Sequence, residues 1–213
     1  MKARTPGRRG PKPKPDTRHN LIRAGLKTIH AAGFAATGIQ DIVDIADVPK
    51  GSFYNHFASK EAFGAEVIDT YSTLGQERLR SFLSNPNMPP LARLEAYFDN
   101  RIEAFATNTY ARGCLMGNFS AEAADHSELI REHLVTQWNA WSEIFENCIA
   151  EAQREGAIDD RTPAALLARF MFNSWEGALL RMRVEKSDAA LAEFKAVIFG
   201  TVLGPRQNRE GSK

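Results

Sequence analysis

An all-α fold is what this sequence predicts, and three observations carry the prediction. From Asp16 onward, apolar residues recur three and four positions apart, the spacing of one helix face. No stretch alternates apolar and polar residues as a half-buried strand does. Each periodic run is bounded by a capping residue, a glycine or a proline. With 213 residues, 43% hydrophobic and 25% charged, the chain is globular and long enough to bury a core unaided. Its purely apolar runs are a handful of residues against the ~20 a membrane-spanning helix needs, so no membrane partner is expected. The two cysteines, Cys114 and Cys148, are too few for a disulfide framework, and the basic, proline-rich start lacks the apolar segment of a secretory signal. A reduced, cytoplasmic protein is therefore expected.

Charge divides the chain. Residues 1–60 hold 11 Lys and Arg against 4 Asp and Glu, and the remainder holds 16 against 22, so a net of +1 conceals a basic head on an acidic body. A basic head of this kind suits a polyanion. Within residues 1–15, Lys2, Arg4, Arg8, Arg9, Lys12 and Lys14 are interrupted by four prolines that forbid a helix. The segment reads as a basic arm, either a solvated tail or a strap for nucleic acid.

The first helix is capped by Asp16 or Thr17, carries Leu21, Ile22, Gly25, Leu26 and Ile29 on one face, and ends near Ala32, with Gly33 as its C′ glycine and Phe34 as the apolar contact beyond. Thr37-Gly38-Ile39-Gln40 reads as a capping box that opens a second helix of about ten residues, with Ile39, Ile42, Val43 and Ala46 inward. After a tight turn at Asp47-Val48, Pro49 at N1 starts a third short helix through Phe57. One longer helix followed by two short ones around a tight turn outlines a helix-turn-helix. In the third, Phe53 and Phe57 are four apart and point inward, while Lys50, Ser52, Tyr54, Asn55 and His56 form an outward arc rich in donors and free of carboxylates. Phosphates and base edges require such a face, and Gly51 leaves room for close backbone approach. A plain solvated face is the alternative.

The residues Gly33-Phe34, Thr37, Asp44-Ile45-Ala46, Val48 to Phe57 and Ser59-Lys60-Glu61 together resemble the DNA-binding signature of TetR-family transcriptional regulators. The resemblance implies an all-helical homodimer whose three N-terminal helices bind a pseudo-palindromic double-stranded DNA operator, with a connecting fourth helix and a C-terminal domain that holds an effector pocket and the dimer contact. It places Thr37, Tyr54 and Lys60 on phosphates and Gln40, Lys50, Ser52, Asn55 and His56 near base edges, with Gly51 among them and Arg9 in the arm. The usual turn glycine is Asp47 here, which tolerates a left-handed backbone better than most residues. The organisation expected is an arm over 1–15, a helix-turn-helix DNA-binding domain over 16–60, a connecting helix over 61–84, a helical ligand-binding and dimerisation domain over 85–204, and a tail over 205–213.

In the body, Phe63, Val67, Tyr71 and Leu74 mark the connecting helix, which stops at Asn85-Pro86-Asn87-Met88-Pro89-Pro90. Leu91 to Thr107 is amphipathic, Ser127 to Glu155 is long and ends at Gly156, Thr162-Pro163 reads as a cap with an N1 proline, and Ser187-Asp188 caps a last helix toward Gly204. A stripe of Leu167, Phe170, Met171, Ser174, Trp175, Ala178, Leu179 and Met182, with Leu191, Phe194, Val197, Ile198 and Thr201 of the last helix, suits either a four-helix dimer contact or an internal core.

Cys114 begins a helical run after Gly113, where free amides and the helix dipole favour a thiolate and Arg112 adds positive potential. A buried, inert thiol is the alternative. Residues 112–122, with Arg23 to Leu26, Phe63-Gly64 and Trp175 to Ala178, resemble the TetR branch to which the electrophile-responsive repressor NemR and the acrylate-responsive repressor AcuR belong. That resemblance implies Cys114 as a sensor of reactive small molecules. Phe105, Phe119, Trp138, Trp141, Phe172 and Trp175, with Met116, are candidates to line an apolar cavity, and Asn118, Glu176 or Arg181 to orient its ligand. Cys148 is assigned to the core. Glu122, His126 and His133 lack the spacing of a metal site, and no nucleotide-binding or hydrolase motif occurs, so neither metal nor cofactor nor catalytic residue is expected. The reading is a ligand-responsive repressor with a small-molecule effector; a cysteine-dependent enzyme or a protein-binding helical adaptor leaves the first sixty residues unexplained.

Overall fold

A computed structural model describes residues 16–204, and the arm with Arg9 and the tail lie outside the described residues. Among the described residues there are nine α-helices and no strand. The head consists of α1 (Thr17–Ala32), α2 (Ile39–Ile45) and α3 (Lys50–Tyr54). Leu21, Ile42, Val43, Phe53 and Phe57 are buried between them, with Phe63 of the next helix as the floor, and the rings of Phe53, Phe57 and Phe63 lie 4.9–5.3 Å apart. Gly33 ends α1 at φ 93°, where a side chain would be strained and its Cβ would meet the Glu122 carboxylate at 2.7 Å. Asp47 takes φ 53° in the α2–α3 turn, so aspartate does occupy the left-handed position.

Four local expectations are corrected. The cap of α2 is Gly38, whose N–H donates to Asp41 Oδ2 at 2.8 Å, and Thr37 instead donates its hydroxyl to the Gly33 carbonyl at 2.6 Å. Asp41 out-competes Gln40 because it stands at N3 of the helix as formed. Asp16 precedes α1 at φ 72° with no side-chain cap bond, and α2 spans seven residues. Pro49 and Pro163 are themselves cap residues in extended or near-extended backbone, one position before the first helical turn of α3 and α8.

The body follows as α4 (Lys60–Leu83), α5 (Pro90–Thr107), α6 (Leu115–Ala123), α7 (Glu128–Arg154), α8 (Ala164–Glu185) and α9 (Ala189–Val197), the last continued by a π-helical turn, Ile198–Val202. Ser59 and Ser127 cap α4 and α7 by accepting from Ala62 N at 3.0 Å and Ile130 N at 3.3 Å. The proline-rich break after α4 is locked by buried Arg93, which donates to the carbonyls of Leu83 and Met88 and to Glu151 at 2.7–3.1 Å. Helix α7 packs against α4, α5, α6 and α8, and α8 against α9. Gly75 permits the α4–α7 approach: a Cβ there would stand 2.4 Å from Trp141, whose indole lies over α4 and donates to Ser72 Oγ at 2.9 Å. Cys148 is buried, donates to the Pro90 carbonyl at 3.4 Å, and has its pKa pushed up to about 12 by burial, as a core thiol should.

The long stripe on α8 and α9 resolves mostly inward. Leu167, Met171, Trp175, Ala178, Leu179 and Met182 are buried within the chain, as are Leu191, Phe194 and Ile198. Of the stripe, Phe170, Val197 and Thr201 stay exposed, and beside Phe170 on α8 lie three exposed apolar residues outside the stripe, Leu166, Leu180 and Val184. Val184 is 84% and Leu180 62% exposed. These α8 positions, with Asn173 and Gly177 between them, repeat at alternating steps of four and three, the seam of a helix that packs on another.

Candidate functional site

Two regions bring together the residues singled out in the sequence. On the head, α3 presents Lys50, Gly51 and Tyr54, and the turn after it presents Asn55 and His56, all exposed, with Ser52 half-buried beside them. No acidic residue lies between Val48 and Lys60. Among the described residues nothing comes within 4 Å of a Cβ placed on Gly51, so its bare backbone is not required by their packing. Gln40 is exposed on α2, and its amide donates to Asp44 Oδ1 at 2.7 Å. Lys60 sets its ammonium 4.6 Å from the centre of the Phe34 ring and 3.4 Å from the Ala35 carbonyl. Thr37 leaves the face: it is 1% exposed and its hydroxyl is committed to Gly33, so its side chain secures the α1–α2 turn instead of a phosphate.

The second region is a cavity of about 600 Å³ between α1, α4, α5, the segment before α6, α7 and α8. Phe105, Met116, Trp141, Phe172, Trp175, Glu176 and Cys114 line it. Trp141 stacks on Phe172 with centroids 5.6 Å apart, and Phe105 and Trp175 stand at 6.4 Å. Four candidates lie elsewhere. Phe119 is buried against Phe34 of the head, with centroids 4.9 Å apart. Trp138 donates to Ser120 Oγ at 3.3 Å and packs on Phe172 from outside the cavity. Asn118 accepts from Arg183 at 2.8 Å. Arg181 is exposed and pairs with Glu185 and Glu193, so it orients nothing in the cavity. Helical spacing placed these side chains inward but not on which side of a packed layer they fall.

The chemistry at Cys114 also departs from expectation. The residue caps α6, and the surface it keeps faces the cavity. Burial and the neighbouring Glu176 carboxyl push the thiol well above its ordinary pKa, outweighing the opposing pull of the Met116 and Gly117 amides. The helix N-terminus thus acts in the expected direction and loses to desolvation and a like charge. Arg112 lines the cavity too. Burial in turn raises Glu176 to about 7, against a smaller downward effect of the thiol hydrogen bond.

Sequence reasoning missed the basic wall. Arg23, Lys27, Arg78, Arg101 and Arg112 line the cavity from four segments, as do His30, Tyr71 and Tyr97. The available signal was Arg78 and Arg101, cations set among the apolar periods of helices in an otherwise acidic body. Burial drives Tyr97 and Tyr71 well above the ordinary phenol pKa, so both stay neutral.

Three contacts join this cavity to the head. His30 of α1 donates Nε2–H to the Gly113 carbonyl at 2.8 Å, one residue before Cys114, and its ring meets Tyr71 edge-on. A carbonyl only accepts, so Nε2 carries the proton, and burial lowers the histidine pKa. Glu122 of α6 accepts from Ala35 N at 2.9 Å, and Phe119 packs on Phe34. His133, by contrast, pairs with Asp69 at 2.9 Å on the far side of the α4–α7 seam.

A three-helix head with an acid-free exposed helix, carried on a helical body that encloses a cavity, defines a helix-turn-helix regulator. Residues 21–67 match the description "Bacterial regulatory proteins, tetR family", and residues 90–198 match "Tetracyclin repressor-like, C-terminal domain". The chain belongs to the TetR family of DNA-binding transcriptional regulators. It is 38% identical over 191 residues to the HTH-type transcriptional repressor DhaR of Mycobacterium sp. strain GP1, covering 90% of this chain and 94% of that protein. To the transcriptional regulator AcuR of Cereibacter sphaeroides it is 34% identical over 193 residues, covering 89% and 88%. Among solved structures, the regulatory protein TetR from Rhodobacter sphaeroides superposes with a TM-score of 0.80 at 31% identity, covering 86% of this chain and 97% of that one.

Proposed function

We propose that the chain is a homodimeric repressor that holds a pseudo-palindromic operator through the α3 face and releases it when a small molecule occupies the body cavity. The observation that carries this reading is the direct seating of the head on the cavity wall through His30–Gly113 and Glu122–Ala35. An occupant that displaces residues 112–114 or α6 moves α1, and with it the separation of the two recognition helices in successive major grooves. Coupling of this kind is typically ~1–3 kcal/mol, about 5–150-fold in operator affinity.

The test is fluorescence anisotropy of labelled duplexes from DNA flanking the protein's own gene. Tyr54→Phe should weaken binding to every duplex alike, by about tenfold, because a lost phosphate donor carries no sequence information. Lys50→Ala should instead cost about 1–3 kcal/mol selectively at the bases it faces. Absence of binding to any flanking duplex at low salt would overturn the reading.

The seam of Leu166, Phe170, Leu180 and Val184 supports self-association through α8 and α9. Leu180→Glu, which sets a charge on each side of a two-fold contact, should raise the dimer dissociation constant at least about a hundredfold in sedimentation equilibrium. An unaltered dimer would place the contact elsewhere.

A second reading has its own observation, the Cys114 thiol and the Glu176 carboxyl set beside each other at the cavity wall, both against Gly117. The resting thiol is protonated, so covalent sensing of an electron-poor alkene requires a base. Glu176 would take the thiol proton as sulfur bonds to the terminal carbon, the alkene π pair would move onto the neighbouring carbon, and Glu176 would return the proton there. Under this reading Cys114→Ser retains operator binding and loses release by such electrophiles.

A further inference from the structure

The walls of the cavity carry five cationic side chains against one carboxyl, Glu176, in a body that is otherwise net acidic. Two of the cations bear on each other. Arg101 of α5 is half-buried, with its guanidinium 5.6 Å from the centre of the Phe105 ring, and Arg78 of α4 stands close enough for its charge to bear on Arg101. Neither makes an ion pair with an acidic residue among the described residues, although Arg18, Arg93, Arg131, Arg161 and Arg181 all do. Like charges repel, and burial and then Arg78 press half-buried Arg101 toward its neutral form. Guanidinium groups do not give up their proton in response, so an unpaired couple of this kind is relieved by an anion. Beyond the couple lie the rings of Phe105, Trp141, Phe172 and Trp175, a floor that suits an apolar body and offers few partners for further charge.

We infer that the cavity takes an organic monocarboxylate, its carboxylate held between Arg78 and Arg101 and its aryl or alkyl body laid on the aromatic floor. The proposal rests on the reading of the cavity as the effector site and adds the chemical class of the effector. A planar carboxylate fits the planar guanidinium fork through paired N–H···O bonds, with the Phe105 ring beside Arg101. A phosphate dianion with a sugar would demand hydroxyl and amide partners that the aromatic floor does not offer.

The probe pair is 4-phenylbutyrate and its amide, which share shape and differ in charge. Trp141 and Trp175 line the cavity, so their fluorescence reports occupancy. The acid is expected to bind at least about tenfold more tightly than the amide, the scale of one charged hydrogen-bonded contact. Arg101→Gln should abolish that preference. Arg78→Gln, at an exposed position that tolerates substitution, should reduce it even if the Arg101 variant fails to fold. Equal binding of acid and amide, or no saturation by the acid up to about 10 mM, overturns the anion seat. Titrating the acid into the complex with labelled operator separates the two claims. Arginine-dependent binding without operator release leaves the seat standing and overturns the effector reading, whereas release by the amide and acid alike does the reverse.

Discussion

Phe53→Ala is expected to unfold the DNA-binding head while leaving the body folded. Phe53 is fully buried, and its ring meets those of Tyr54, Phe57 and Phe63 at 5.1–5.4 Å, so it is the centre of a core built from one longer helix and two short ones. Truncating such a ring costs about 3–5 kcal/mol, a large share of the stability of a domain this small. In the body Phe98 packs on Phe145 and Trp175, none of which is among the rings that meet Phe53. All three tryptophans, Trp138, Trp141 and Trp175, belong to the body, so their fluorescence should keep its wild-type unfolding curve. Backbone circular dichroism and amide exchange in α1 to α3 should show an earlier transition, with operator binding lost. Coincident loss of both signals would mean that head and body fold as one unit.

The second large effect is electrostatic. Glu176→Gln is expected to stabilise the protein at pH 8 by about 3 kcal/mol and to leave stability at pH 4 nearly unchanged. The fold raises this carboxyl from 4.5 to about 7, chiefly through burial. A native state that binds the proton more tightly than the unfolded chain gains from it below the unfolded value. That gain is lost as pH rises through the folded one, so wild-type stability should fall between about 4.5 and 7 and level off above. Glutamine keeps an acceptor for the Cys114 thiol and removes the ionisation. Thermal melts across this window decide the matter: parallel profiles for wild type and variant would mean that Glu176 ionises freely, because water fills the cavity around it.

These two residues also mark where the sequence was legible. Phe53 and Phe57 are four apart in a short segment between a proline and a polar turn, so their inward direction follows from local periodicity alone. The same holds for Cys148 within the apolar face of α7 and for the break between α4 and α5 at three prolines. Glu176 was named as a polar group beside an aromatic run, but its partner Cys114 lies some sixty residues away, and only packing sets the thiol against it. Thr37 was misread because its hydroxyl can either accept from an α2 amide or donate to a carbonyl, and the Gly33 carbonyl, freed where α1 ends, takes the hydroxyl proton at 2.6 Å. On α8 the sequence contains an inward stripe and an exposed seam that overlap at Phe170, and apolar character by itself does not tell which is which.

The sequence by itself determined the all-helical class, the limits of most helices to within a residue or two, and the acid-free face of the third. Those features depend on interactions within a few residues, where caps, prolines and helical spacing act. Tertiary structure alone decided the cavity and its chemistry. Arg78, Arg101, Cys114 and Glu176 come from four segments, and each acquires its character from neighbours distant in sequence: an unpaired like charge for the arginines, burial beside a carboxyl for the thiol. Desolvation and charge pairing act through space, so the character of these cavity residues becomes visible only when the helices are packed.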